Sequence, residues 1–210
     1  MGGISVNIAY NVDCMEYMRT LPDKAFDLAV VDPPYRDAAE NAPTRDMRRN
    51  GSLACFGDKP SEEYFAELKR VSKEQIVWGA NNFGLPAYKG FIVWEKLTIS
   101  ENFTMSQAEI AAISEGLGTT SKIFKAAPQG AKDDKRIHPT QKPIALYAWI
   151  FARYAKPGDK IIDTHLGSGS SRIAAYDAGL DFVGCEIDKD YFAKQEERFA
   201  AHTAQLSLFV

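Results

Sequence analysis

Lys160-Ile-Ile-Asp163-Thr-His-Leu-Gly167-Ser-Gly169-Ser-Ser171 is the stretch whose reading decides the fold. Its first four residues read as a short buried strand, two glycines allow a tight turn, and Arg172-Ile-Ala-Ala-Tyr176 continues as a helix. A Gly-rich turn between strand and helix cradles a nucleotide-like ligand in α/β sheets. The nicotinamide fingerprint needs a third glycine where Arg172 stands, and the phosphate loop needs a Gly-Lys-Ser/Thr that is absent, so dinucleotide and ATP readings weaken. A second apolar run, Asp181-Phe-Val-Gly-Cys185, ends in Glu186 about seventeen residues past Gly169, where an acid accepts both hydroxyls of a ribose. A ribose without a tight phosphate site points to S-adenosylmethionine. Its candidate contacts here are Asp163, Gly167, Ser168, Gly169, Ser170 and Glu186. A flexible turn and a surface acid would be the plainer account of the same residues.

Upstream, the apolar run Phe26-Asp-Leu-Ala-Val-Val31 closes on Asp32-Pro33-Pro34-Tyr35. Two prolines cannot donate backbone hydrogen bonds and hold the chain extended, which leaves carbonyls and flanking side chains facing whatever binds. A planar exocyclic amine needs acceptors for two hydrogens, which Asp32 and the Pro33 carbonyl supply, and a face to stack on, which Tyr35 supplies. Asp-Pro also starts ordinary turns, so the tetrapeptide by itself leaves a strand-to-turn junction open.

With both motifs in this order, the chain resembles the bacterial and phage amino-methyltransferases of DNA, in the permuted arrangement called the beta class. The likeness covers most of the chain. The target-amine motif precedes the cofactor loop, and His138-Pro-Thr-Gln-Lys-Pro143 stands directly before that loop. Release-factor and many ribosomal-RNA methyltransferases with similar tetrapeptides place the cofactor loop first. The resemblance implies a Rossmann-like, doubly wound sheet of seven strands, one antiparallel, with circularly permuted motifs and S-adenosylhomocysteine as product. It implies that Thr140 and Lys142 reach the methionine end of the cofactor, Lys142 as counter-charge to its carboxylate. It also implies that Asp13 faces the cofactor's adenine, with Cys14 beside it. Asp13 has an independent reading as the N-cap of a helix carrying Met15, Met18 and Leu21, which at their spacing read as core.

The chain departs from the family at Thr164-His165, where Pro-Phe is usual; His165 fills similar space and is read as a cofactor-side contact. For His138 a positioning role is read in preference to chemistry. Pro143 suits the first turn of a helix whose apolar stripe is Tyr147, Ile150, Phe151 and Tyr154.

The 210 residues, 45% of them apolar, suffice for one α/β core, here residues 1–204 with a tail 205–210. Without a long apolar span or a signal-peptide pattern, a cytoplasmic protein with no membrane association is expected. Three scattered cysteines and three histidines show no metal-ligand spacing, and transfer from a sulfonium requires no metal. A net charge of -3 is unusual for a protein that binds by neutralising phosphates and argues against DNA as the partner, but the charge is unevenly placed. The basic clusters Arg45, Arg48, Arg49 and Lys122, Lys125, Lys132, Lys135, Arg136 are the candidate contacts to double-stranded DNA, with plain solvated loops as the alternative.

By resemblance the sequence-reading segment precedes the His-Pro-Thr motif, leaving only Glu115 to Arg136. Recognition is then short, shared with the loop from Arg36 to Lys59, or completed by a homodimer. The tail Gln205-Leu-Ser-Leu-Phe209 resembles the pentapeptide that docks on the bacterial sliding clamp, and would otherwise pack on its own domain. Adenine N6 is favoured over cytosine N4 because family members with Ser in place of Asp32 lean towards cytosine. An RNA adenine enzyme would more usually have Trp at Tyr35. A decayed, non-catalytic DNA- or clamp-binding module is opposed by intact Asp32, Tyr35, Asp163, Gly167, Gly169 and Glu186.

Overall fold

The computed structural model describes residues 6–35, 58–85, 88–103, 105–128 and 136–206. Arg45, Arg48, Arg49, Lys132, Lys135 and the tail beyond Leu206 lie outside the described residues.

Phe26-Asp-Leu-Ala-Val-Val31 forms β2, and its side chains split between the two faces of the sheet with the period of a strand. Leu28 and Val30 join a core with Leu146, Ile150, Ile161 and Phe182, while Ala29 and Val31 join a second with Met18, Tyr64, Leu68 and Ile162. Burial on both faces explains why these strands read as continuous apolar runs.

Around β2 the strands are β1 (Asn7–Tyr10), β3 (Ser72–Trp78), β4 (Gly90–Lys96), β5 (Ala108–Ile113), β6 (Lys122–Ala126), β7 (Lys160–Asp163) and β8 (Asp181–Cys185). They form one sheet in the order β1-β8-β7-β2-β3-β5-β4-β6, with β5 antiparallel to both its neighbours and every other pair parallel. The helices are α1 (Cys14–Arg19), α2 (Glu62–Val71), α3 (Ile144–Tyr154), α4 (Ser170–Asp177) and α5 (Lys189–Leu206). The first core lies under α3 and α4, the second under α1 and α2, giving the doubly wound arrangement.

The strand count corrects the expectation of seven. The eighth, β6, lies inside the segment read as a recognition insert and pairs with β4 from Ile92↔Lys122 to Lys96↔Ala126. It escapes notice in the sequence because lysines flank it and Ile123 stays 59% exposed; only Phe124 turns inward, against Trp149 at 5.6 Å. Two helix ends also differ from expectation. Pro143 is the N-cap of α3 and so sits one position before its first turn, and α5 continues through Gln205 and Leu206 into the expected tail. Trp78 and Trp94 are buried, as read from the sequence.

Arg172, where a dinucleotide site would have glycine, ties three elements together. Its guanidinium donates to Asn7 Oδ1 of β1 at 2.8 Å and to Gln195 Oε1 and Glu196 Oε1 of α5 at 3.0 and 2.6 Å. No helix among the described residues is long and apolar enough to cross a membrane.

Ile161, fully buried in the middle of the sheet, tests this packing. Ile161→Ala is expected to lower unfolding free energy by about 2–5 kcal/mol in urea titration. A loss below about 1 kcal/mol would show that the first core is not closed around β7.

Candidate active site

The chain leaves β7 for α4 and returns to β8 on one side, and leaves β2 for α2 and returns to β3 on the other. Strands β7 and β2 are adjacent, so the winding reverses between them, and a cleft opens beyond their carboxyl ends. The cleft measures about 490 Å³. It brings both predicted motifs together: Asp32 to Tyr35 line it with Lys142, and so do His165 to Ser168, Ser170 and Glu186, together with Asp13, Cys14 and Thr140.

On the β7–β8 side, Gly167 and Gly169 take φ of 53° and 75°, the left-handed region that glycine enters without strain. Gly167 N–H donates to Glu186 Oε2 at 2.7 Å and Asp188 N–H donates to Glu186 Oε1 at 2.9 Å. Two backbone donors thus fix a carboxylate at the cleft wall with lone pairs left over. Burial raises the Glu186 carboxyl above its ordinary value, against those two donors.

Asp163 and Gly169, read from sequence as cofactor contacts, are not among the residues that line the cleft. Asp163 is buried beneath the loop, accepting from His165 N–H at 3.0 Å and from the Ser171 hydroxyl at 2.5 Å. It clamps the two ends of the glycine turn together, and burial pushes its carboxyl up to about 7. Gly169 is the N-cap of α4 and abuts Gln195 of α5. Asp13 caps α1, accepting from Met15 N–H at 2.7 Å and Glu16 N–H at 3.2 Å, while lining the cleft as well. Cys14 lines the same wall, its thiol pushed up to about 12 by burial.

His165 is packed edge-on against Tyr64 of α2 at 5.3 Å between ring centroids. Burial lowers it to about 4, so the ring is neutral near pH 7. Its Nδ1 lies 3.0 Å from the Thr164 hydroxyl, which is itself 2.6 Å from the Tyr64 hydroxyl. The two residues that depart from the family pattern therefore form one connected unit with a tyrosine that the sequence reading did not single out. His138 is likewise lowered to about 4 by burial; Nδ1 accepts from the Thr140 backbone N–H at 3.3 Å, and the ring packs edge-on against Tyr191 at 4.4 Å. These contacts tie the ring to the Thr140 turn.

On the β2 side, the Tyr35 hydroxyl donates to Asp32 Oδ1 at 2.7 Å. Lys142 does not stand free as a counter-charge for a cofactor carboxylate. Its ammonium contacts Asp32 Oδ2 at 2.5 Å and Glu109 Oε2 at 3.0 Å, and donates to the Tyr35 hydroxyl at 3.3 Å. Glu109 in turn meets Lys96 at 2.5 Å. Burial alone would lower the Lys142 ammonium, but Asp32 and Glu109 outweigh it and raise it. Burial alone would raise Glu109, but Lys142 and Lys96 hold it down at about 2. Burial raises Asp32, opposed by Lys142. We assign the shared proton to the lysine, because its partners keep the ammonium form favoured and the four charges then cancel.

Glu109, Lys96 and Gly79 are site residues missed in the sequence. A lone acid in the otherwise apolar strand Ala108-Glu-Ile-Ala-Ala-Ile113 was the available signal, since a charge in a buried strand requires a partner. Gly79, at φ 67°, ends β3 directly beneath the Tyr35 ring, where any Cβ would overlap it. Of the described basic candidates for DNA contact, Lys122 is exposed and Lys125 pairs with Glu95 at 2.8 Å. Arg136 donates to the His138 and Pro139 carbonyls, a local tie of the turn.

The sheet and its cleft are those of the Rossmann-like methyltransferase class. PvuII DNA methyltransferase (cytosine-N4-specific) superposes with a TM-score of 0.62 at 12% identity, covering 94% of this chain and 92% of that one. The M1.HpyAVI–SAM complex gives 0.60 at 21%, covering 90% and 97%. In sequence, the YubD protein of Escherichia coli (strain K12) is 28% identical over 208 residues, spanning 90% of this chain and 88% of that one. The type II methyltransferase M1.MboII of Moraxella bovis is 21% identical over 246 residues, 90% of this chain and 94% of that protein. The family model of the N6/N4 DNA methylases matches residues 58–197, and the chain belongs to that family.

Gly79→Ala is expected to leave the protein folded, with a backbone cost of about 1 kcal/mol, yet to push the Tyr35 ring off Asp32 and reduce methyl transfer at least tenfold. Unchanged transfer would show that the ring is not seated on Gly79. A second test concerns pH. His165 is lowered in the folded chain, so the unfolded chain takes up its proton first and stability falls as pH drops from about 6.5 towards 4. Wild type should lose on the order of 2 kcal/mol relative to His165→Phe between pH 7 and pH 4.5 in paired urea titrations. Parallel pH dependences would mean that His165 is protonated in the folded protein.

Proposed function

We propose that this protein transfers a methyl group from S-adenosylmethionine to the N6 amine of an adenine turned out of duplex DNA. The observation that carries the reading is the Asp32 carboxylate, half-buried at the carboxyl end of β2 beside Tyr35, in one cleft with the pinned carboxylate of Glu186.

The residues fit the cofactor. Glu186 retains acceptor capacity for a ribose diol, and the neighbouring Ile187, 64% exposed, with Val12 offers an apolar wall to a purine. Asp13, Cys14 and Thr140 line the same cleft. When bound, the cofactor supplies a methyl on an electrophilic sulfonium, open to direct displacement by a nitrogen lone pair.

The chain's own contribution is to the nitrogen. An adenine amine is planar because its lone pair is delocalised into the ring; hydrogen bonds from it to Asp32 and the Pro33 carbonyl favour the more tetrahedral nitrogen of the transition state. As the N–C bond forms, the nitrogen sheds one proton, and the carboxylate already bonded to that hydrogen is the nearest acceptor. Tyr35 supplies the stacking face for a base that has left the duplex at a cost of a few kcal/mol. Aspartate at position 32 favours adenine, and cytosine N4 is the second reading, which the similarity to PvuII methyltransferase keeps in view.

Incubation with radiolabelled S-adenosylmethionine and unmethylated duplex DNA, followed by digestion to nucleosides, is expected to label N6-methyldeoxyadenosine. Label on N4-methyldeoxycytidine would overturn the choice of base, and label on RNA alone would overturn the choice of nucleic acid. Asp32→Ala should reduce transfer at least about a hundredfold while leaving cofactor affinity by calorimetry within a few-fold of wild type. Retained transfer would sink the role given to Asp32.

A further inference from the structure

The Lys142 ammonium and Asp32 Oδ2 lie side by side at 2.5 Å on the floor of the cleft, one a donor and the other an acceptor. Their side chains are only 3% and 15% exposed, so neither is a solvated surface charge. Lys142 is pinned from behind by Glu109 at 3.0 Å, and Glu109 is neutralised by Lys96 at 2.5 Å. Four charges joined by three ion pairs lie under the target motif and hold one ammonium there.

The edges of the bases supply a use for it. Adenine presents an amine donor beside the unprotonated N1, and cytosine an amine beside N3. Guanine and thymine present the reverse, a carbonyl acceptor beside a ring N–H. An acceptor next to a donor matches the first pattern and opposes the second at both positions. We infer that Lys142 is a specificity-determining residue that donates to the ring nitrogen adjacent to the target amine, with Glu109 and Lys96 as its positioning residues. This inference rests on the reading of Asp32 as the acceptor of that amine.

An ammonium has three hydrogens, and here they meet Asp32, Glu109 and the Tyr35 hydroxyl. The longest of the three contacts, 3.3 Å to Tyr35, is the one a ring nitrogen replaces. Tyr35 keeps its own bond to Asp32 at 2.7 Å. Because the cluster of Asp32, Glu109, Lys96 and Lys142 is neutral as a whole, the donor arrives without a net positive field, which would draw the amine lone pair further into the ring and oppose the attack.

The test replaces one atom of the substrate. In a duplex whose methylated position has been located with wild-type enzyme, that adenine is exchanged for 1-deazaadenine, which keeps the amine and substitutes C–H for N1; a cytosine target would take 3-deazacytosine. Wild type is expected to lose at least tenfold in kcat/KM on the analogue. Lys142→Met should be slow on both duplexes with a ratio near one, and Glu109→Gln should fall between. Equal use of both duplexes by wild type overturns the inference and leaves the proposed function standing, as does a Lys142→Met enzyme that keeps the full wild-type preference. Failure of wild type to methylate any amino base in DNA would overturn the underlying reading, and this inference with it.

Discussion

A carboxylate that must accept a hydrogen bond from a neutral amine has to be ionised and close, yet shielded from water that would compete for it. In the proposed reaction Asp32 is such a carboxylate: its side chain is 15% exposed on the cleft floor, and the rest of the site follows from that partial burial. An ionised carboxylate in such a place costs several kcal/mol unless a cation is paired with it. Lys142 is that cation. A buried ammonium facing one carboxylate still has unmet hydrogens, which Glu109 and the Tyr35 hydroxyl take up, and Glu109 then requires Lys96. The chain of partners ends only when charge and hydrogen bonding are both balanced.

In the opposite half Arg198 ties down the Ser168 carbonyl and the Ser170 hydroxyl, but among the described residues no cation forms an ion pair with Glu186 or Asp163. Glu186 and Asp163 are held almost wholly by backbone N–H groups and a hydroxyl. Such donors stabilise a carboxylate without an opposing charge that would attract a sulfonium's counter-ions or repel the sulfonium itself. One half of the site is thus a compensated ionic cluster, and the other is a set of oriented dipoles.

Much of this was legible in the sequence wherever function is carried by contiguous residues. Asp32 to Tyr35 and the glycine turn could be placed because each is a strand end with its own local geometry, and the switch between β7 and β2 brings the two together. Glu109, Lys96 and Gly79 were not, because they meet the site through pairings that only the folded sheet defines. Glu109 lies opposite Trp94 in the β4–β5 register, which sets Lys96, two residues on, diagonal to it on the same face. Nothing in the sequence specifies that register. The strand at Lys122 to Ala126 was missed for a related reason: an edge strand buries too few side chains to show an apolar rhythm.

Between α2 and β3 there is no connecting loop: Val71 ends the helix and Ser72 begins the strand. Tyr64, near the start of that helix, touches Thr164 in the glycine turn, and the strand's far end runs into Gly79 beneath Tyr35. The donor side and the acceptor side of the cleft are therefore gauged from a single unbroken length of backbone, like two jaws mounted on one bar. Inserting one residue at the junction would turn the helix by about 100° relative to the strand and misalign both jaws at once. A change in the length of this bar cannot be absorbed on one side alone, whereas the exchange of a side chain along it can.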